Sequence, residues 1–157
     1  MRRADIMKLI VCCGVPLVIG LAGSFFTNSI DWYQTLEKPA FTPPNWVFAP
    51  VWTALYLLMG ISVFLVWQKG LTSAAGKSAL ACFIFQLVFN GLWAPIFFGL
   101  KQPLIAFGDI IVLWLAVVAT FACFYRVSKL SAILFTPYVI WVSFAAILNA
   151  SICMLNQ

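Results

Sequence analysis

Trp52, Tyr56, Met59 and Val63 recur at i, i+4, i+7 and i+11, the spacing that places side chains on one face of a helix. Gln86, Asn90, Trp93 and Phe97 repeat that pattern, and Trp141, Ala145, Asn149 and Ile152 form a third face. Each face carries a large aromatic ring, and two also carry amides. Two readings fit. In one, the faces converge on a pocket that stacks a flat, mostly apolar ligand and fixes it with a few polar atoms. In the other, the rings fill a packed core and the amides only bond neighbouring helices.

Other chemistry is sparse. The chain has no histidine, which excludes histidine-based triads, histidine metal sites and histidine-ligated haem. Cys12, Cys13, Cys82, Cys123 and Cys153 lie in apolar runs without metal-ligand spacing and read as small buried hydrophobes, not as a disulfide framework. No phosphate loop or nucleophile elbow is present. Neither a metal nor a cofactor is expected. Asp109 is the lone acid within an apolar run and shares a face with Leu113, Ala116 and Thr120. A proton or ion site is one reading of such an acid. With no Lys, Arg or second carboxylate at its depth, the favoured one is an inward, hydrogen-bonded group that supports structure.

The elements that must carry these faces follow from composition. Of 157 residues, 64% are apolar and 8% charged, with a mean hydropathy of +1.06. Soluble domains carry about 25% charge. An ordinary soluble enzyme and a disordered tail are therefore excluded. So is a nucleic-acid binder, because the net charge of +5 is not gathered into a stripe. A hydrocarbon layer of about 30 Å needs roughly 20 helical residues. Five stretches qualify: Ile6–Phe26, Trp46–Trp67, Ser78–Gly99, Pro103–Phe124 and Ser131–Leu155. Bare backbone cannot face lipid, and the alternation of a membrane barrel is missing, so each should be helical. The expectation is an all-α bundle of five transmembrane helices forming one domain over 1–157. Arg2, Arg3 and Lys8 precede the first stretch as in a signal peptide, but that stretch is too long for one and is kept as a helix.

Basic residues set an expected orientation. The amino terminus and the second and fourth connections hold Arg2, Arg3, Lys8, Lys69, Lys77, Arg126 and Lys129, against Lys38 and Lys101 on the other side. The positive-inside rule then puts the amino terminus in the cytoplasm, the carboxyl terminus outside and the protein in a bacterial cell (inner) membrane. The first connection, 27–45, faces outward. It contains Trp32, Tyr33, Lys38, Pro39, Phe41, Pro43 and Pro44, and its prolines predict an ordered, semi-rigid cap. An interfacial aromatic belt would account for Trp32, Tyr33 or Trp46, but Trp52 and Tyr56 lie too deep for one.

The chain resembles the translocator protein family, also called the tryptophan-rich sensory proteins or peripheral-type benzodiazepine receptors. The first matching run includes Trp32, Tyr33, Lys38, Pro39, Thr42, Pro43, Pro44, Trp46, Trp52, Thr53 and Tyr56. The second is Gln86, Asn90, Trp93, Phe97 and Gly99, then Leu113, Trp114, Ala119 and Thr120, and last Pro137, Tyr138, Trp141, Ala145, Leu148 and Asn149. The resemblance implies a five-helix bundle, commonly a homodimer, with a ligand cavity roofed by the first loop. It implies binding of protoporphyrin IX and other tetrapyrroles, and of isoquinoline carboxamide and benzodiazepine ligands. Trp52 and Trp141 match the cavity tryptophans tied to porphyrin binding and to its light-driven breakdown. Asn90, Trp93, Ala145 and Leu148 match the cavity wall, and Tyr33, Pro43 and Trp46 match the roof. Phe41 stands where the family usually has tryptophan, keeping an aromatic surface without the indole N–H. The animal sterol pattern is missing, so cholesterol binding is not inferred. The first functional expectation is a membrane protein that senses, regulates or transports porphyrin. The second is a light-dependent porphyrin-degrading enzyme, in which Trp52 and Trp141 alone would be catalytic. A coupled transporter is a third, disfavoured by the lack of repeats and of a charged relay beyond Asp109.

Overall fold

The computed structural model describes residues 2–28 and 30–156, without the side chains of Asn28 and Ile30. Helix α1 (Arg3–Ser24) runs into a 3₁₀ turn (Phe25–Asn28), followed by a short α2 (Ile30–Thr35). The long helices α3 (Asn45–Lys69), α4 (Ala74–Ala94), α5 (Pro103–Val127) and α6 (Lys129–Leu155) complete the chain, with a π-helical turn (Pro95–Gly99) after α4. Among the described residues there is no strand.

With their terminal turns, five helices are long and apolar enough to cross a membrane. They hold 25 to 27 residues each, roughly 38–40 Å at 1.5 Å per residue, which spans the hydrocarbon and reaches both interfaces. Several outrun the apolar stretches: α4 starts at Ala74 rather than Ser78, and α5 continues to Val127 rather than Phe124. The added turns carry Lys77 and Arg126, whose long side chains reach water while their backbones stay helical. Local signals set the starts. Ser73 accepts a hydrogen bond from the Gly76 N–H at 3.1 Å, Ser128 does the same for Ser131 at 3.3 Å, and Pro103 opens α5.

The helices close a ring. α1 packs on α3 and α4, α3 on α6, α6 on α5, and α5 back on α4. Lys8 near the start of α1 sits 5.6 Å from the ring of Trp67 near the end of α3, so one end of the bundle gathers Lys8, Lys69, Lys77, Arg126 and Lys129. The 27–45 segment covers the opposite end; of it, Ser29 lies outside the described residues. The buried face of α5 carries Asp109, Leu113, Ala116 and Thr120, the packing surface expected from their spacing.

Helix α1 buries only Cys12 and Pro16 and presents Ile10, Val15, Val18 and Leu21 outward. Its hold on α3 depends on Gly60, where an added Cβ would lie 2.5 Å from Cys13 Cα and 2.8 Å from the Cys12 carbonyl oxygen. Backbone, not a movable side chain, is the obstacle there. All five cysteines are free thiols. The expectation of small buried hydrophobes holds for Cys12 alone, because Cys13, Cys82, Cys123 and Cys153 are partly exposed.

The cap is tied down by few, well-placed bonds. The Asn156 amide accepts from the Glu37 N–H and donates to the Glu37 carbonyl, both at 2.9 Å, joining the cap to the end of α6. The Lys38 ammonium donates to the carbonyls of Tyr33 and Leu36 at 2.8 Å and lies 4.8 Å from the Tyr33 ring centre. Phe41 meets Phe144 edge-on at 6.2 Å, so the phenyl ring does anchor the loop without an indole N–H.

Gly60→Ala is expected to destabilise the bundle by about 1–3 kcal/mol, the cost of overpacking a tight contact. Thermal unfolding in detergent, followed by circular dichroism, should show a lower midpoint. Asn156→Ala should leave that midpoint nearly unchanged, since few contacts are lost. Limited proteolysis should nonetheless cut the variant faster between Glu37 and Phe41.

Candidate ligand site within the bundle

Three helices share one hydrogen-bonded network around the Tyr138 phenol. Asn90 on α4 donates to the Tyr138 hydroxyl oxygen at 2.9 Å, and Tyr138 on α6 donates to Gln86 Oε1 at 2.9 Å. Tyr56 on α3 donates to Asn90 Oδ1 at 3.0 Å, and Gln86 Nε2 lies 3.7 Å from the Met59 sulfur. The predicted faces of α3 and α4 therefore converge, and the amides point inward as polar groups at membrane depth must. Gln86, Asn90, Asn149 and Tyr138 are all buried. On α6, Asn149 accepts from Trp93 Nε1 at 3.0 Å and donates to the Pro103 carbonyl at 3.0 Å, which links α4, α5 and α6.

Rings surround this network. Trp52 stacks on Tyr56 with centroids 5.4 Å apart, and meets Tyr138 at 6.3 Å and Trp141 at 6.5 Å, both edge-on. Trp141 also contacts Phe48 at 5.9 Å and Phe144 at 5.5 Å. Toward the cap, Trp93 stacks on Phe97 at 4.9 Å, and Phe97 receives the edges of Trp32 and Tyr33. The π-helical turn brings Phe98 to the same place, 5.7 Å from Tyr33 and 6.0 Å from Trp93. Burial pushes the Tyr33 phenol up from its ordinary value, so it stays neutral under the cap.

The residues expected to line a cavity thus fall into two packed groups. Trp52, Trp141 and Ala145 pack with the deep core, Tyr33 and Leu148 with Phe97, Ala106 and Ile152 beneath the cap, and Trp93 touches both. Asn90 belongs to the deep network. Pro43 is half-buried in the cap. Trp46 differs: it projects from the first turn of α3, 75% exposed, where it fits an aromatic belt better than a roof.

Two buried polar atoms have no hydrogen-bond partner among the described residues: the indole nitrogen of Trp141 and Oδ2 of Asp109. Asp109 is buried as expected, but the hydrogen bond expected of its carboxylate is not made among the described residues. The Trp141 N–H is the more informative for a ligand, because it is a donor set among edge-on and tilted rings. A groove of about 730 Å³ opens beside it on the outer face between α3 and α6, lined by Val51, Leu55, Pro137 and Trp141 and rimmed by the exposed Ile133 and Ile140. That volume lies within the roughly 300–1,000 Å³ of small-molecule sites.

Sequence reasoning quoted Tyr138 only as part of a run and missed its central place; a phenol three residues before Trp141, inside a span, was the available signal. Gly20 was missed altogether. A Cβ there would collide with the Tyr56 ring, so α1 makes room for the ring that α3 offers.

A sequence profile of the TspO/MBR family matches residues 12–155. The chain is 46% identical over 154 residues to the tryptophan-rich protein TspO of Archaeoglobus fulgidus, covering 97% of this chain and 99% of that one. It is 42% identical over 154 residues to the protein of the same name in Chlorobaculum tepidum, covering 97% and 98%. To the tryptophan-rich sensory protein of Cereibacter sphaeroides it is 37% identical over 156 residues, covering 99% and 94%. With five apolar helices closed around an interior of tryptophan, tyrosine and amide side chains, and with matches over nearly its whole length, the chain belongs to the TspO/MBR family of integral membrane proteins.

Proposed function

We propose that the protein binds a tetrapyrrole, with protoporphyrin IX as the first ligand to test, near Trp52 and Trp141, and acts as a membrane sensor or regulator of porphyrin. The observation that carries this reading is the buried N–H of Trp141, unpartnered among the described residues and surrounded by aromatic rings. An unmet buried donor costs about 1–3 kcal/mol, which a ligand acceptor would recover. A flat macrocycle supplies both that acceptor and the apolar faces that indoles stack on. Isoquinoline carboxamide and benzodiazepine ligands, flat and carbonyl-bearing, suit the same place. The name of the relative from Cereibacter sphaeroides, a sensory protein, supports a sensing role. Seven basic residues at one end against two at the other support a cell-membrane protein with its amino terminus in the cytoplasm. A homodimer is proposed on the family resemblance.

A second reading rests on a different observation. Trp52, Tyr56, Tyr138 and Trp141 form a continuous set of oxidisable rings in contact, suited to electron exchange with a light-excited porphyrin. In that case the site degrades its ligand.

Titration with protoporphyrin IX in the dark, followed by tryptophan quenching, tests the placement. Trp52→Ala is expected to weaken binding by about 1–3 kcal/mol, the value of a buried aromatic contact. Trp141→Phe keeps a ring but removes the donor, and should cost about 1 kcal/mol, roughly a fivefold rise in Kd. Unchanged affinity in both folded variants rejects the placement. Under illumination, a stable porphyrin spectrum supports sensing, whereas protein-dependent bleaching that Trp52→Phe abolishes supports degradation.

A further inference from the structure

Cys82 on α4 and Cys123 on α5 lie 41 positions apart in sequence, yet their sulfur atoms stand 3.8 Å apart. This is van der Waals contact between two thiols on facing helices. A disulfide needs about 2.05 Å between sulfurs, so closing the bond draws the two sulfurs together from contact distance. No other cysteine is placed this way. Cys12 and Cys13 are sequence neighbours on one helix, and Cys153 is engaged by the Asn149 amide at 3.5 Å.

Access is built in on one side. A cavity of about 290 Å³ is lined by Ala74, Ala75, Ser78, Cys123 and Arg126, at the end of the bundle where the cationic side chains gather. The small side chains on α4 leave the space, which reaches Cys123 and borders the charged Arg126. Both cysteines are partly exposed. A thiol bordering a cavity, with a second thiol in contact, is the arrangement in which oxidation ends in a disulfide rather than in overoxidation.

We propose that Cys82 and Cys123 are a peroxide-oxidisable thiol pair whose disulfide clasps α4 to α5. The first thiol attacks a peroxide oxygen, the O–O bond breaks, and a sulfenic acid and one water form when hydrogen peroxide is the oxidant. The second thiol attacks that sulfur, the S–S bond forms, and a second water leaves. The two thiols lose two electrons together, and the peroxide is reduced to two waters. External dithiol reverses the step by exchange. The bond would close one turn from Gln86, and beside Phe83 and Phe124, which stack at 6.0 Å.

The test uses the intact protein in lipid nanodiscs, treated with hydrogen peroxide and then denatured in a thiol-reactive polyethylene glycol maleimide. The expected result is loss of two of the five reactive thiols, restored by dithiothreitol, with a Cys82–Cys123 linked peptide in the mass spectrum. Cys82→Ser should abolish the linkage and leave Cys123 as the sole oxidised residue, while Cys12→Ser should not alter it. Retention of all five thiols, a linkage between other cysteines, or a linkage between two chains would each overturn the proposal. Should Cys82→Ser fail to fold, Cys123→Ala gives the same discrimination from the other helix.

Discussion

Inside a membrane, a polar side chain has no water to fall back on, and the placement of Tyr138 follows from that constraint. Its hydroxyl receives from α4 and gives to α4, while the Asn90 amide that reaches it also receives from α3. In hydrocarbon the alternative to each bond is an unmet donor or acceptor, so register between helices is set by whether the list of partners closes. Apolar packing alone would not do this, because lipid tails are as apolar as the side chains they replace. The aromatic cage around Trp52 takes its shape from this network: Trp52 lies on Tyr56 and against Tyr138, and both rings are held by their hydroxyls.

Against that closed network, the open atoms stand out. Gln86, Asn90, Tyr56 and Tyr138 satisfy one another, and Trp93, Asn149 and the Pro103 carbonyl form a second closed set. Trp114 is likewise satisfied by Ser143 at 2.7 Å. The fold finds partners for the indoles of Trp93 and Trp114, whereas the buried N–H of Trp141 has none among the described residues. Glycine does complementary work at Gly20 and Gly60, where helix α1 comes close enough to wall in the cage without adding polar groups of its own.

Much of this was legible in the sequence because membrane helices make periodicity meaningful. Trp52 with Tyr56, Asn90 with Trp93, and Trp141 with Asn149 were assigned to inward faces from spacing, and the structure brings those faces together. What periodicity does not carry is the partner of each group. Tyr138 reads as one more aromatic in an apolar run until its hydroxyl is seen between two amides. Trp46 belongs to the same motif as Trp52, yet fewer than two turns of α3 separate an exposed ring from one in the interior. The contact of Cys82 with Cys123 was hidden for a similar reason: pairing across 41 residues depends on the rotation of two helices about their axes, and a one-residue change of phase on either would part the sulfurs.

The bond between Asn156 and the Glu37 backbone also has a kinetic side. The cap and the last turn of α6 are 119 residues apart in sequence and share one amide. Helix ends fray, and loop and terminus motions run on nanosecond to microsecond scales. Each fraying event at the end of α6 withdraws the amide and frees the cap at Glu37. The rate at which this one contact unlatches is therefore set by the last turn of α6, and Glu37 inherits the clock of a helix end.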